Sequence, residues 1–205
     1  MKKLAVLVLA VIASGCFLTI SADSTPIDSS ATNTTNNSGS ATQNITSNPA
    51  WAAALPGSNW VSFANTGNPS TPGFTTLANG TNAIFSETFN LSGTIAAATL
   101  SVLADDTTSV VVNGVTVYAA ALGGSYPTCS SVQIGCLATT EGTFNIAPYL
   151  VDGSNTISFD VFQENGSSYG LDYAGTVTTT PEPGLLMMLS SGLVGLGFMK
   201  RRKLS

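Results

Sequence analysis

The sequence predicts an all-β domain, a two-sheet β-sandwich, from its strand-forming runs, one hairpin and one alternating segment. Short runs rich in β-branched and aromatic residues recur between turn residues, and this region has no convincing helical periodicity. The runs span residues 83–91, 98–104, 109–118, 142–146, 155–163 and 169–177. Short strands separated by turns at such spacing are typical of antiparallel sandwiches.

The clearest local prediction is a β-hairpin at Asn113 and Gly114. Both residue types take the positive φ angles of a type I′ turn at low cost. They lie within the sequence Val-Val-Val-Asn-Gly-Val-Thr-Val, so β-branched residues flank the turn on both sides. We therefore expect two antiparallel strands joined at this point.

A further strand is predicted by the alternation of apolar and polar residues in the run at 155–163. Side chains along a strand point to opposite faces in turn. Ile157, Phe159 and Val161 should therefore face the core, and Ser158 and Asp160 should face solvent.

The charges are distributed unevenly along the chain. The basic residues lie at the ends, Lys2 and Lys3 at one and residues 200–203 at the other, and the interval 4–199 contains no Lys, Arg or His. Nucleic-acid binding is excluded for this interval, because phosphates are held largely by Lys and Arg. Stability must come from apolar burial and hydrogen bonding, since no basic side chain can form an ion pair there.

The absence of histidine also bears on catalysis and metal binding. A Ser-His-Asp or Cys-His arrangement and a His-based metal site are both excluded. Asp105 and Asp106 are adjacent, and neighbouring side chains of a strand point to opposite faces, which is poor geometry for a glycosidase pair. We expect no enzymatic activity. Calcium, which needs only oxygen ligands, is a candidate at Asp105 and Asp106, although a solvated or capping turn is the more ordinary interpretation.

The first 22 residues have the features of a signal peptide. Lys2 and Lys3 form a positive start, and residues 4–12 are an unbroken run of Leu, Ala, Val and Ile. Two forms of processing remain open. Signal peptidase would cleave after Ala22, whereas lipidation at Cys16 would follow from the similarity of residues 13–16 to a bacterial lipobox.

The composition divides the rest of the chain into a linker, a domain and a tail. Residues 23–50 are dominated by Ser, Thr and Asn, which predicts a disordered linker. Residues 51–177 are long enough to bury one core and are expected to form the sandwich. A second Thr-rich stretch, residues 176–180, is expected to space this domain from the tail at 178–205.

The tail combines a short motif with a membrane-spanning pattern. Pro181, Glu182 and Pro183 precede residues 184–199, which carry no charge, and Lys200, Arg201, Arg202 and Lys203 follow. A helix over 184–199 reaches about 24 Å, short of a roughly 30 Å hydrocarbon core, so the basic side chains would snorkel. Basic residues after the span stay cytoplasmic, which places the domain outside.

This tail resembles that of the PEP-CTERM proteins, which have a Pro-Glu-Pro motif, a Gly-rich apolar helix and a basic end in the same order. The resemblance covers residues 180–205. It implies a Gram-negative host, a transient membrane anchor and recognition by an exosortase, a membrane transpeptidase-like protease. Signal peptidase and exosortase are the expected processing enzymes. The domain would reach the cell surface or extracellular matrix, commonly alongside exopolysaccharide, and release and re-anchoring both remain open.

A second resemblance covers about residues 98–177 and is to the galactose-binding-like jelly roll of carbohydrate-binding modules. Ala-Asp-Asp at 104–106, followed by the Val-Val-Val-Asn-Gly run, is similar to the acidic turn and hairpin of that fold. Residues 144–150 and 153–157 are similar to its next strand, loop and return strand. The resemblance implies sugar binding as a hypothesis, with Trp60, Tyr126, Asn165 and Tyr169 as candidate contacts. Tyr149 and Tyr173 are assigned to packing.

Cys129 and Cys136 lie close together in a loop rich in Ser and Gly. Export to an oxidising compartment favours a disulfide between them rather than two separate thiols. In the chain-entropy picture this small loop contributes about 2–3 kcal/mol.

Two functional hypotheses follow. The first is a non-catalytic surface or matrix protein associated with exopolysaccharide or biofilm, and the alternative is a specific carbohydrate-binding module of the galactose-binding-like type.

Overall fold

The computed structural model describes residues 22–120, 129, 134–164 and 166–181. These residues form an all-β fold with two short 3-10 turns, Ala138–Thr140 and Ala147–Tyr149. The strands are β1 Asp23–Asp28, β2 Thr35–Asn36, β3 Gln43–Asn44, β4 Val61–Ser62, β5 Asn82–Leu91, β6 Thr94–Asp105, β7 Thr107–Val112, β8 Val115–Tyr118, β9 Gly142–Asn145, β10 Gly153–Phe162 and β11 Gly170–Thr180. The predicted runs between 83 and 177 therefore all contain strands.

The strands form two antiparallel sheets. The first has the order β3-β4-β11-β6-β9, and β1 also pairs with β11, while the second has the order β2-β5-β10-β7-β8. The most extensive pairings join β11 to β6 and β10 to β5, and they connect strands distant in the sequence. The two-sheet sandwich predicted from the sequence is confirmed.

The core lies between the sheets and is built from the inward faces of their long strands. Ile157, Phe159 and Val161 of β10 are fully buried, whereas Ser158 and Asp160 are only half-buried, so the predicted alternation is confirmed. Phe159 stacks on Tyr173 of β11 across the sandwich, with ring centroids 4.4 Å apart. Such a pair joins the two layers directly.

The predicted hairpin is also confirmed. Asn113 and Gly114 have φ angles of 49° and 79°, and they join β7 to β8. The Asn113 side chain has a second role, because its Nδ2 donates to the Tyr149 carbonyl (2.8 Å) and its Oδ1 accepts from the Thr156 N–H (2.9 Å). The turn is therefore held against the loop that leads into β10.

The prediction of a disordered linker over residues 23–50 is wrong. Strand β1 pairs with β11 from Asp23, opposite Thr179, to Asp28, opposite Ala174. Ile27 enters the core with 1% of its surface exposed. A strand is held by backbone hydrogen bonds, which polar residues form as well as apolar ones, so one buried apolar residue and a polar composition are sufficient here.

Polar side chains of the same N-terminal segment are buried through hydrogen bonds rather than solvated. Ser29 Oγ lies 2.7 Å from the Asn59 carbonyl and 3.0 Å from Asp172 Oδ1. Thr34 Oγ1 lies 2.8 Å from the Tyr173 hydroxyl. These bonds tie the segment to β11, since Asp172 and Tyr173 both belong to that strand.

The Thr-rich stretch at 176–180 is likewise not a spacer. It is the last part of β11, and Thr180 pairs with Thr94 of β6. Thr and Val suit the pleated surface of a strand, and this property outweighed the linker-like composition. The folded domain therefore reaches Thr180, immediately before Pro181.

The predicted disulfide is present between Cys129 and Cys136, with an S–S distance of 2.03 Å. Cys136 is fully buried, and its carbonyl accepts a hydrogen bond from the Ala52 N–H (2.8 Å). The disulfide loop is thus attached to the N-terminal part of the domain.

The predicted signal helix and C-terminal helix lie outside the described residues, apart from Ala22 at the end of the signal segment. Within the residues that the structure describes, no helix has the length and apolar character needed to span a membrane.

Candidate functional site

The chemically most unusual part of the described domain is a group of three carboxylates, here called the acidic corner: Asp105, Asp106 and Glu164. Asp105 ends β6, Asp106 lies at the bend before β7, and Glu164 follows β10 by two residues. Each of the three is at most 6% exposed. The corner lies at the end of the sandwich opposite to Thr180, because Asp105 pairs with Gly170 at the start of β11.

Hydrogen bonds hold the two aspartates in place. The Trp51 indole N–H donates to Asp105 Oδ2 (2.7 Å), and the Glu164 backbone N–H donates to Asp106 Oδ2 (2.6 Å). The carboxyl groups of Asp105 and Asp106 also hydrogen bond to each other. Trp51 in turn packs on Trp60, with ring centroids 4.3 Å apart.

This geometry corrects two expectations about the aspartates. Their side chains were expected to point to opposite faces, but Asp106 lies at a bend and not within a strand, so the alternation rule does not apply. The turn was also expected to be solvated or capping, whereas both residues are buried. The two carboxyl groups act as one unit.

Burial, together with the neighbouring Asp106 charge and the hydrogen bond to Asp106, raises the pKa of Asp105 to about 9. Burial also raises the pKa of Asp106, although hydrogen bonds from Asp105 and from the backbone N–H groups of Glu164 and Cys129 act against this. Asp105 therefore holds the proton that it donates to Asp106. The interval 4–199 contains no basic side chain, so only a proton or an external cation can neutralise this pair.

Two side chains next to the pair have buried polar atoms without a hydrogen-bond partner. Glu164 Oε2 is one, and burial together with the Asp106 charge raises the pKa of this carboxyl. The other is the amide of Gln163, which is fully buried with neither polar atom bonded. A buried polar atom without a hydrogen bond destabilises the folded state. The unpaired atoms of Gln163 and Glu164, just after β10, therefore lower the stability of the domain.

The calcium prediction at Asp105 and Asp106 receives no support from further ligands. Among the described residues, no group of three or more His, Cys, Asp or Glu side chains is arranged to hold a metal ion. The oxygens of the pair already accept from the Trp51 indole and from backbone N–H groups, and Asp106 also accepts from the Asp105 carboxyl. Because these oxygens already accept hydrogen bonds, a proton shared within the pair fits the site better than a bound cation does.

Two of the four candidate sugar contacts are buried. Trp60 is 2% exposed, and its indole N–H bonds the Ala52 carbonyl (3.2 Å). Tyr169 is fully buried, and its hydroxyl donates to the Val161 carbonyl (3.0 Å). Neither ring offers a face to a sugar, so these two assignments are wrong. Tyr126 and Asn165 lie outside the described residues.

Tyr173 is fully buried and Tyr149 packs against the core, so both belong to the packing as expected. Of the sorting motif, only Pro181 is described, and it is exposed. Glu182, Pro183 and the basic residues 200–203 lie outside the described range.

Sequence reasoning missed Trp51, Glu164 and Asp172. Asp172 is fully buried and accepts from the Leu55 N–H (2.8 Å) and from the hydroxyls of Ser29 (3.0 Å) and Ser58 (2.5 Å). The sequence feature that could have indicated these contacts is the absence of basic residues. A carboxylate buried in such a domain has no basic partner, so it needs N–H and O–H donors, which Trp, Ser and Thr supply.

Comparison with known proteins decides the nature of the tail. Residues 179–203 match the PEP-CTERM protein-sorting motif. This chain carries a PEP-CTERM sorting signal. The signal implies export, surface sorting and processing by an exosortase. The match begins at Thr179, inside β11, so the signal starts on the folded domain.

The chain is similar to parts of several solved bacterial structures, each of them less than 25% identical to it. A Streptomyces avermitilis α-L-rhamnosidase complexed with L-rhamnose is 23% identical, with a TM-score of 0.47, over 65% of this chain and 12% of that one. A family 35 carbohydrate-binding module from Clostridium thermocellum is 16% identical, with a TM-score of 0.39, over 74% of this chain and 97% of that one.

A calcium-binding mutant of Bacteroides uniformis β-glucuronidase 2 is 15% identical, with a TM-score of 0.40, over 77% of this chain and 18% of that one. The chain thus spans only a small part of the rhamnosidase and the glucuronidase. No curated protein matches it.

Proposed function

We propose that this chain is a non-catalytic, exported protein of a Gram-negative bacterium, which its PEP-CTERM signal delivers to the cell surface or extracellular matrix, where it associates with exopolysaccharide. The match of residues 179–203 to the sorting motif carries this proposal. Signal peptidase and exosortase would process the two ends. The signal segment at 1–22 and the apolar stretch at 184–199 would be the transient contacts with the membrane.

A non-catalytic role is supported by the chemistry of the domain. The interval 4–199 has no histidine, and the coupled acid pair found among the described residues, Asp105 and Asp106, is buried and bonded to itself. A glycosidase needs its two carboxyl groups on either side of a substrate, roughly 5–10 Å apart. Asp105 and Asp106 are joined by a hydrogen bond and leave no room for one.

The alternative function is a specific carbohydrate-binding module. Trp60 and Tyr169 cannot stack on a sugar without leaving the core, which favours the matrix role. Tyr126 and Asn165 are the two candidates that remain for the alternative.

Binding to the host's own exopolysaccharide separates the two functions. We expect the exported protein to co-sediment with the polysaccharide without saturation, and Tyr126→Ala and Asn165→Ala to bind like the wild type. Asn33→Ala, an exposed amide in the N-terminal segment, is the control. Saturable binding that Tyr126→Ala or Asn165→Ala weakens tenfold or more, while Asn33→Ala does not, would contradict the matrix role and support the module.

A cation remains a proposal for the acidic corner. We propose that a shared proton reduces the charge of the Asp105–Asp106 pair from −2 to −1 at acidic and neutral pH and that calcium substitutes for this proton only after Asp105 ionises. The absence of any other positive charge in the interval 4–199 supports a requirement for one of the two.

A further inference from the structure

The two ends of the described domain meet at one end of the first sheet. Strand β1 starts at Asp23, opposite Thr179, and runs antiparallel to the last half of β11. On its other side, β11 pairs with β6 as far as Thr180, opposite Thr94. We call β1 together with residues 174–180 of β11 the terminal clasp. Within it, β11 is a central strand paired on both sides to within one residue of its end.

The clasp is packed as well as paired. Val177 is fully buried, and Thr179 is 3% exposed. Gly93, in the turn between β5 and β6, has a φ angle of +95°, and a Cβ atom there would lie 2.3 Å from the Thr180 carbonyl oxygen and 3.5 Å from the Pro181 Cα. The Gly93 N–H donates to Asp152 Oδ1 (2.9 Å), which fixes the turn in this position.

A protease binds the segment that it cuts in an extended form, with free backbone N–H and C=O groups. Residues 174–180 cannot enter such a cleft, because their backbone groups already bond β1 and β6. Exposing them would break these bonds and withdraw Val177 from the core. The first residue beyond this pairing is Pro181, which is exposed and has no N–H of its own to pair.

We propose that the terminal clasp positions the C-terminal cut: the sorting protease cleaves on the C-terminal side of Pro181, and the mature protein keeps all of β11. This inference rests on the proposed function, because it requires the sorting signal to be processed. The cut breaks one backbone C–N bond. The carbonyl carbon bonds to the oxygen of water, or to the nitrogen of an amine acceptor, and the released nitrogen takes the proton.

The full chain expressed in its host allows a direct test. One variant inserts Gly-Ser-Gly-Ser between Thr180 and Pro181, which moves the motif away from the clasp without changing either. Intact mass spectrometry should show a single C-terminus at or beyond Pro181 in the wild type. In the insertion variant it should show a mixture with additional C-termini inside the insert, because free backbone then precedes the motif.

A second variant perturbs the clasp locally. Gly93→Ala should also give a mixture of C-termini, since its Cβ would displace the Thr180 carbonyl. Gly80→Ala is the matched control, because Gly80 has a similar φ of +82° but no atom within 4 Å of its added Cβ and lies before β5, at the end of that strand away from Gly93. Both substitutions impose similar backbone strain, and only the first reaches the clasp.

The outcomes distinguish this inference from the proposed function. A wild-type C-terminus at or before Thr180 would overturn the inference and leave the sorting function intact. A single, unchanged cut relative to Pro181 in the insertion variant would show that the motif alone sets the position, which also overturns it. If every variant keeps Ser205, nothing is processed, and the proposed function fails together with the inference.

Discussion

Replacing Ile27 by Ala should lower the free energy of unfolding by about 2–5 kcal/mol, the range for removing a buried aliphatic side chain. Ile27 lies in the N-terminal segment whose composition is typical of a disordered linker, yet it is 1% exposed in the core. Urea unfolding of the exported protein, followed by tryptophan fluorescence, measures the change. The effect is large because the cavity would lie beside β11, the central strand of the first sheet.

Ile84→Ala is the matched control for this substitution. Ile84 is also an isoleucine in a strand, β5, but it is 40% exposed. We expect Ile84→Ala to change the free energy of unfolding by about 1 kcal/mol or less. Equal, small effects of the two substitutions would contradict the placement of the N-terminal segment in the core.

Stability should fall as the pH rises, because the acidic corner holds a proton in the folded state. The pKa of Asp105 is about 9 in the folded protein and 3.8 in the unfolded chain. A raised carboxyl pKa gives stability that is fully present below the unfolded value and is lost as the pH rises through the folded value. The loss is about 1.4 kcal/mol per pH unit for one proton within this window.

Glu87 should add to the same trend over a narrower window. Burial raises its pKa from 4.5 to about 7, although a hydrogen bond from Tyr173 acts against this. Urea unfolding at several values between pH 5 and pH 8 should therefore give a decreasing free energy of unfolding. A flat or rising profile would contradict the buried, uncompensated state of these carboxylates.

Asp105→Asn isolates the contribution of the pair. The amide resembles the protonated carboxyl in shape, since it can donate to Asp106 and accept from the Trp51 indole, but it does not titrate. We expect the variant to unfold like the wild type near pH 5 and to be more stable near pH 8. Asp23→Asn, which changes an exposed carboxylate of β1, is the control for the change from carboxylate to amide.

The same urea-unfolding measurements, repeated with calcium, test whether a cation binds the acidic corner. A cation that binds the ionised pair stabilises the folded protein in proportion to its concentration relative to the Kd. Millimolar calcium would then raise the unfolding midpoint of the wild type above pH 9, where Asp105 ionises, but not that of Asp105→Asn. Identical midpoints in calcium and in EDTA would leave the proton as the neutralising partner and end the calcium proposal.

Local sequence patterns predicted the second sheet better than the first. Alternation in β10 and the Asn-Gly turn at Asn113 are local signals, and both appear as expected. Strand β1 could not be found in this way, because Asp23–Asp28 has one buried apolar residue and owes its position to β11, far along the chain. Long-range pairing of polar segments leaves little trace in composition.

The acidic corner shows the same limit in its chemistry. The sequence places Asp105 and Asp106 side by side and shows that no base can neutralise them. It does not show that Trp51, distant in the sequence, supplies the hydrogen bond to Asp105, or that Glu164 joins the group. Two of the candidate sugar contacts show a related limit, since Trp60 and Tyr169 are residue types typical of a sugar-binding face but fill the core.

The central claim, that the tail is a processed sorting signal, is tested most directly by the intact mass of the protein recovered from its native host. The wild type should be compared with a variant in which Pro181, Glu182 and Pro183 are all replaced by Ala. We predict that the wild type lacks residues 200–203 and ends within the tail, whereas the variant keeps Ser205. If both proteins keep Ser205, the tail is a plain membrane anchor and the sorting function proposed for this chain is wrong.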